Sequence, residues 1–152
     1  MKILDTNNFK NISGKGLKIG IVISTWNHKI TKSLYSSAKI TLEEKGVKPS
    51  DILTIEVPGS FELIYGAKKM AENKNIDAII VFGSVIKGET PHFDFICNSV
   101  SQGIKDLNIT LNKPIIFGLL TDLNIAQAIE RSSGKKNKGI ECAIAAIKMA
   151  KI

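Results

Sequence analysis

The run Gly88-Glu89-Thr90-Pro91-His92-Phe93-Asp94-Phe95 places one of only two histidines where an apolar, glycine-bounded stretch passes into a helical pattern. A strand that ends in glycine and leads into a helix start suits an anion, because free N–H groups and the positive end of the helix dipole converge there. A histidine one turn inside can move a proton beside whatever is bound. The dipole disfavours imidazolium, which favours a neutral ring able to accept or return a proton. Lone histidines are more often surface or structural groups; the setting of His92 is what favours a chemical role, and His28, in a polar turn, has no such setting. The combination points to chemistry on a phosphorylated substrate.

Three other residues could join it. Trp26, the only tryptophan, follows an apolar run, where its indole could either stack on a planar heterocycle or fill the core. Glu62, in Val57-Pro58-Gly59-Ser60-Phe61-Glu62, could accept hydrogen bonds from substrate hydroxyls or simply favour a first helical turn. Arg131 could clamp phosphate with its planar fork or compensate a helix C-terminus. The chain has neither a GxxxxGK[ST] loop nor a GxGxxG fingerprint, which argues against ordinary nucleotide binding. Its first apolar run does not end in the acidic cluster of a metal-dependent phospho-receiver. Cys97 and Cys142 lie in apolar, helix-like segments without CxxC spacing, so they read as small buried hydrophobes in a reducing compartment, with no metal site.

The elements that must position these residues alternate. Runs starting at Lys18, Asp51, Ala78 and Pro114 and ending at Ser24, Val57, Phe82 and Leu120 are rich in β-branched residues, as in strands buried on both faces. Between them apolar residues recur at helical spacing: Leu34, Ala38 and Leu42; Leu63, Ala67, Met70 and Ala71; then Phe95, Val100 and Ile104. Two more helices are expected over 124–131 and 138–149, separated at Gly134. Right-handed strand–helix units predict an α/β fold: a three-layer α/β/α sandwich whose four-stranded parallel sheet follows a flavodoxin-like order. Ligands in such folds bind beyond the carboxyl ends of the strands, which points to the stretches 24–27, 57–62, 83–92 and 120–122, with Trp26, Glu62 and His92 among them.

The 152 residues, 43% hydrophobic and 23% charged, fit one globular domain over 1–152. Residues 1–17 show little periodicity and no obvious place in the core; they are expected to reach a neighbouring subunit. With 21 basic against 14 acidic residues the net charge is +7, compatible with nucleic acid, anionic lipid or phosphorylated metabolites. The lysines are scattered apart from Lys135, Lys136 and Lys138, and no basic block is interleaved with aromatics, so no nucleic-acid partner is expected. Nor is a membrane partner expected, since no stretch approaches bilayer-spanning length and the N-terminus lacks a signal-peptide pattern; the expected compartment is the cytoplasm.

At its loops the chain resembles the lumazine synthase family. The matching blocks are Val57-Pro58-Gly59-Ser60-Phe61-Glu62, the stretch from Gly83 through His92 to Phe95, Phe117-Gly118-Leu119-Leu120-Thr121, Gln127-Ala128-Ile129-Glu130-Arg131 and Asn137-Lys138-Gly139, all in family order. The resemblance implies condensation of 5-amino-6-ribitylamino-uracil with 3,4-dihydroxy-2-butanone 4-phosphate to 6,7-dimethyl-8-ribityllumazine, a step of riboflavin biosynthesis, without metal or organic cofactor. By the same resemblance Trp26 would stack on the pyrimidine and Ser60, Phe61 and Glu62 would hold the ribityl chain. Ser84, Val85 and Ile86 would line the ring pocket through their backbone. Glu89, Thr90 and Arg131 would bind the phosphorylated ketone, and His92 would transfer protons. Phe117 would reach substrate from the adjacent subunit, and Lys138 would lie near the site. It also implies homopentamers or their multiples, with active sites between subunits and riboflavin synthase as a candidate partner. Trp26 stands where many bacterial members have phenylalanine, and Lys87 where arginine is frequent. A flavin- or pteridine-binding carrier without turnover is the alternative, disfavoured by the joint presence of His92 and Arg131.

Overall fold

A computed structural model describes residues 10–152. Its elements run β1 (Ile19–Ser24), α1 (His28–Glu44), β2 (Ile52–Val57), α2 (Leu63–Ala71), β3 (Ala78–Ile86), α3 (His92–Thr110), β4 (Ile115–Asp122), α4 (Ile125–Arg131) and α5 (Lys138–Met149). All strand pairs are parallel, in the order β2-β1-β3-β4, which is the flavodoxin-like arrangement expected.

Alternation along the strands decides which helix covers which face. Ile19, Ile21 and Ile23 of β1, with Ala78, Ile80 and Phe82 of β3, pack beneath α1 and α5 against Leu34, Ala38, Leu42, Ala143 and Ile147. Val22, Ile79 and Val81 face the other way, against Leu63, Ala67 and Met70 of α2 and Val100 and Ile104 of α3. The two layers make the three-layer sandwich. β2 is an edge strand and departs from the expected two-sided burial: Thr54, Ile55 and Glu56 are exposed.

Other expectations are corrected. β3 does not stop at Phe82 but continues to Ile86, and β4 to Asp122, because their register holds through Ile86↔Asp122. Gly83 therefore lies inside a strand, and the helix opens at His92 itself rather than a turn before it. Phe95 is 69% exposed, off the buried stripe made by Val100 and Ile104. Of the N-terminal segment, residues 1–9 lie outside the described part. Ile12 and Leu17, however, pack on the core, and the Gly14 N–H donates to the Lys45 carbonyl at 2.7 Å, so this stretch does have a place in the fold. Within the lysine run Lys136 pairs with Glu130 at the surface and Lys138, half-buried, with Glu141. No helix among the described residues is long and apolar enough to cross a membrane.

Cys142 is buried as expected, while Cys97 is only half-buried. Burial pushes the Cys142 thiol up to about 12 from 9.0. A folded-state value above the unfolded one stabilises the fold fully at lower pH, and that contribution fades as pH rises from the unfolded toward the folded value. We therefore expect the unfolding midpoint in urea to fall more steeply above about pH 9 in the native sequence than in Cys142→Ala. The difference should reach about 1.4 kcal/mol near pH 10. Parallel pH profiles of the two proteins would contradict the burial of this thiol.

Candidate active site

The carboxyl ends of β1, β2 and β3 converge on one cleft of about 390 Å³, lined by Trp26, Asn27, Ser60, Phe61, Glu62, Ser84, Val85, Ile86, His92 and Ile96. This is where strand order reverses, β1 leading outward to β2 and the chain then crossing back to β3, so the flanking loops part and leave a crevice. The size suits a small molecule.

The floor is the extension of β3. Ser84, Val85 and Ile86 remain in register with Leu120, Thr121 and Asp122, which makes the floor rigid strand rather than loop. Gly83 lets the loop after β2 close onto it: a Cβ there would lie 2.7 Å from Ser60 Oγ and 2.8 Å from Leu119 Cδ1. Ser60 is accordingly buried.

One wall is Trp26. Its side chain is not in the core, since the residue is 65% exposed. The Pro58 carbonyl accepts from the Trp26 N–H at 3.0 Å and from the Thr25 hydroxyl at 3.1 Å, tying the loop after β1 to the loop after β2. The indole lies over Gly59, where a Cβ would come within 2.9 Å of Trp26 Cε3. Phe61, 52% exposed, presents a second aromatic at the mouth. Glu62 is the N-cap of α2 rather than a first-turn residue, and its Oε2 accepts from the Gly59 N–H at 2.9 Å. That bond orients the carboxylate within the cleft.

His92 is the first residue of α3, after Pro91 at the N-cap, and completes the lining with Ile96 one turn on. An exposed aromatic wall, a flat strand floor, an oriented carboxylate and an imidazole at the rim can hold a planar ring with a hydroxylated arm and move protons beside it.

Five of the residues picked out by sequence do not line this cleft. Glu89 and Thr90 are exposed in the bend between β3 and α3. Arg131 ends α4 and donates from Nη1 to Asp122 Oδ1 at 2.8 Å; Asp122 is 2% exposed and its carbonyl accepts from the Lys87 N–H. The guanidinium thus stands where the bend 87–91 leaves the sheet, one strand away from the floor residue Ile86. Phe117 and Lys138 lie together elsewhere, on a groove of about 260 Å³ with Ile116, Glu141, Cys142 and Ala145, and Lys138 Nζ bonds Glu141 Oε2 at 2.6 Å. Asn27 and Ile96 line the cleft without having been assigned a role by sequence, and Gly59 was not recognised as the seat of the indole. Ile96 follows His92 by four residues, a helical spacing that could have flagged it. Nothing in the residue types marked Gly59.

Residues 16–152 match the family model described as 6,7-dimethyl-8-ribityllumazine synthase. The chain belongs to this family. It is 54% identical to the 6,7-dimethyl-8-ribityllumazine synthase of Flavobacterium johnsoniae over 97% of this chain and 77% of that one. Identity is 52% to the enzyme of Christiangramia forsetii, covering 97% and 88% of the two chains, and 54% to that of Bacteroides fragilis, covering 88% and 94%. It is thus a transferase of the lumazine synthase type, acting in riboflavin biosynthesis. No group of three metal-ligating side chains occurs among the described residues.

Gly59→Ala should fold but push the indole out of place, because Trp26 Cε3 and Glu62 Oε2 would lie within 3.0 Å of the new methyl. Titration with riboflavin, followed by quenching of the sole tryptophan, should show weaker binding with little change in thermal midpoint. Unchanged affinity would mean that the seat of the indole is not constrained by Gly59.

Proposed function

We propose that the cleft condenses 5-amino-6-ribitylamino-uracil with 3,4-dihydroxy-2-butanone 4-phosphate, giving 6,7-dimethyl-8-ribityllumazine with loss of phosphate and water. The observation that carries the reading is the assembly of Trp26, Ser60, Phe61, Glu62, Ser84, Val85, Ile86 and His92, from three strand ends, around one cleft. The pyrimidine lies between the Trp26 indole and the strand floor, contacting the backbone of Ser84, Val85 and Ile86. Its ribityl chain runs along Ser60, Phe61 and Glu62. The phosphorylated ketone sits at the bend carrying Glu89 and Thr90, with Arg131 presented from α4 by Asp122 as the phosphate clamp.

Chemistry follows from placing the two reactants against each other. An amine condenses with the carbonyl as one water is lost, phosphate leaves, and the second amine closes the ring as a second water is lost. His92, at the rim, carries protons for these steps, while positioning supplies much of the rate. Phosphate binding orients the ketone and stabilises the departing anion.

The active site is completed by a second copy. Phe117 and Lys138 are the residues offered to a neighbour's cleft, since both lie on a groove away from the chain's own. Exposed Phe61, Tyr65, Phe95, Ile109, Phe117, Leu123, Ile125 and Ile129 support burial of further surface by self-association. The chain works as one domain over 1–152, in homopentamers or their multiples, in the cytoplasm, with product passing to riboflavin synthase.

Purified protein supplied with both substrates should form a fluorescent lumazine without added metal or cofactor; a folded protein that makes none would leave the carrier reading. His92→Ala should lower kcat by about tenfold or more, within the range of general acid–base assistance, with product affinity nearly intact. Equal loss of both would assign His92 to binding. Light scattering should give a particle mass that is a multiple of five chains of 16.5 kDa.

A further inference from the structure

We propose that Asn27 is a positioning residue for substrate stacking: it locks the Trp26 wall to the β3 floor and so sets the width of the slot that receives the pyrimidine. The proposal rests on the stacking role of Trp26 given above. Two independent observations carry it, one from the backbone and one from the side chain.

Asn27 has φ 54° and ψ 44°, the only non-glycine residue with positive φ among the described residues. This left-handed conformation is uncommon outside glycine and is kept where surrounding contacts enforce it. Here it reverses the chain between Trp26 and α1. The residue is the N-cap of that helix, and its carbonyl accepts from Ile30 N–H at 2.9 Å and Thr31 N–H at 3.2 Å.

The side chain does something an N-cap asparagine usually does not. Asparagine is favoured at N-caps because its carbonyl oxygen accepts from an N–H of the first helical turn. Asn27 makes no such bond; Nδ2 donates instead to the Ser84 carbonyl at 2.8 Å, 57 residues away. Asn124 and Asn137, at the N-caps of α4 and α5, do cap in the ordinary way, accepting from Gln127 and Gly139. Asn137 also donates from Nδ2 to the Ser132 carbonyl while its Oδ1 caps α5, so of the three N-cap asparagines Asn27 is the one whose side chain bridges without capping.

The bridge joins the two surfaces between which a planar ring must fit. Ser84 is the first floor residue, and Trp26, the wall, is the immediate neighbour of Asn27. On its other side the wall is fastened by the Pro58 carbonyl and seated on Gly59. Without the bridge the wall stays attached to the β2 side but loses its fixed spacing to β3. Stacking then requires the slot to be ordered on binding, which lowers affinity for the planar reactant while leaving His92 and the proton transfers untouched.

Two variants separate the backbone role from the bridge. Asn27→Gly accepts the left-handed conformation freely but cannot bridge. Asn27→Asp is nearly isosteric and tolerates positive φ, but sets a carboxylate oxygen against the Ser84 carbonyl. In the full-length assembled protein, time-resolved anisotropy of the single tryptophan, excited where tyrosine does not absorb, should report a more mobile indole in both variants than in the native sequence. Riboflavin, a planar ring with a ribityl arm, should bind about three- to tenfold more weakly, the range of one neutral hydrogen bond. KM for the pyrimidine should rise by a similar factor with kcat nearly unchanged. An indole as rigid in Asn27→Gly as in the native protein would overturn the proposal, as would a fall in kcat at constant KM. The anisotropy needs neither ligand nor turnover, so it tests the bridge even if the native protein makes no lumazine, an outcome that would refute the proposed reaction alone.

Discussion

Four parallel strands present two apolar faces, and both must be covered. From that requirement follow the alternation of strand residues between the α1/α5 layer and the α2/α3 layer, and the need for a crossover helix after each of the first three strands. Parallel order then sends every strand end to the same edge of the sheet. The order β2-β1-β3-β4 makes the chain diverge between β1 and β3, so a crevice opens there without any residue being selected to make it. The floor of the cleft is a consequence of strand length: β3 has nine residues against six in β1, and its surplus runs on beside β4.

Polar groups are treated differently at this edge than in the core. Ser24 Oγ, Ser84 Oγ and Asp122 Oδ2 are buried without a hydrogen-bond partner, and all three stand at the carboxyl ends of strands, next to or within the functional region. The sheet centre, by contrast, is apolar, with Ile19, Ile21, Val22, Ile79 and Ile80 fully buried. The loops at the carboxyl edge are held by a few directed bonds as well as by packing: the Pro58 carbonyl, the Glu62 carboxylate and the Asn27 amide each fasten one segment to another.

The same economy explains where the cationic groups sit. The Arg131 guanidinium is itself anchored by a buried aspartate on β4, so the tip of a long side chain is held in place beside the bend 87–91. Lys138 and Phe117 face another groove, which in the proposed assembly lies against a neighbour.

Strand and helix identity was legible in the residues, because β-branched runs and helical spacing are local signals; the positions of β1, α4 and α5 follow from them to within a residue or two. The lumazine synthase motifs likewise identified most of the cleft, since they are contiguous blocks placed at strand ends. The ends of β3 and β4 were not legible: their last residues look like loop, and only pairing with each other keeps them in strand. Phe95 misled because helical spacing says which residues share a stripe but not whether a partner covers it. The roles of Gly59 and Asn27, though both lie in strand-end loops, were not legible for a deeper reason. Their importance lies in contacts with residues distant in the chain or on another loop, Trp26 for one and Ser84 for the other. The sequence by itself determined the class of fold, the family and the chemical groups available. The tertiary structure decided which further groups join them, such as Asn27 with Ser84 and Trp26 with Gly59, because such contacts depend on strand register and on how far paired strands run, and neither is written in the spacing of residues along the chain.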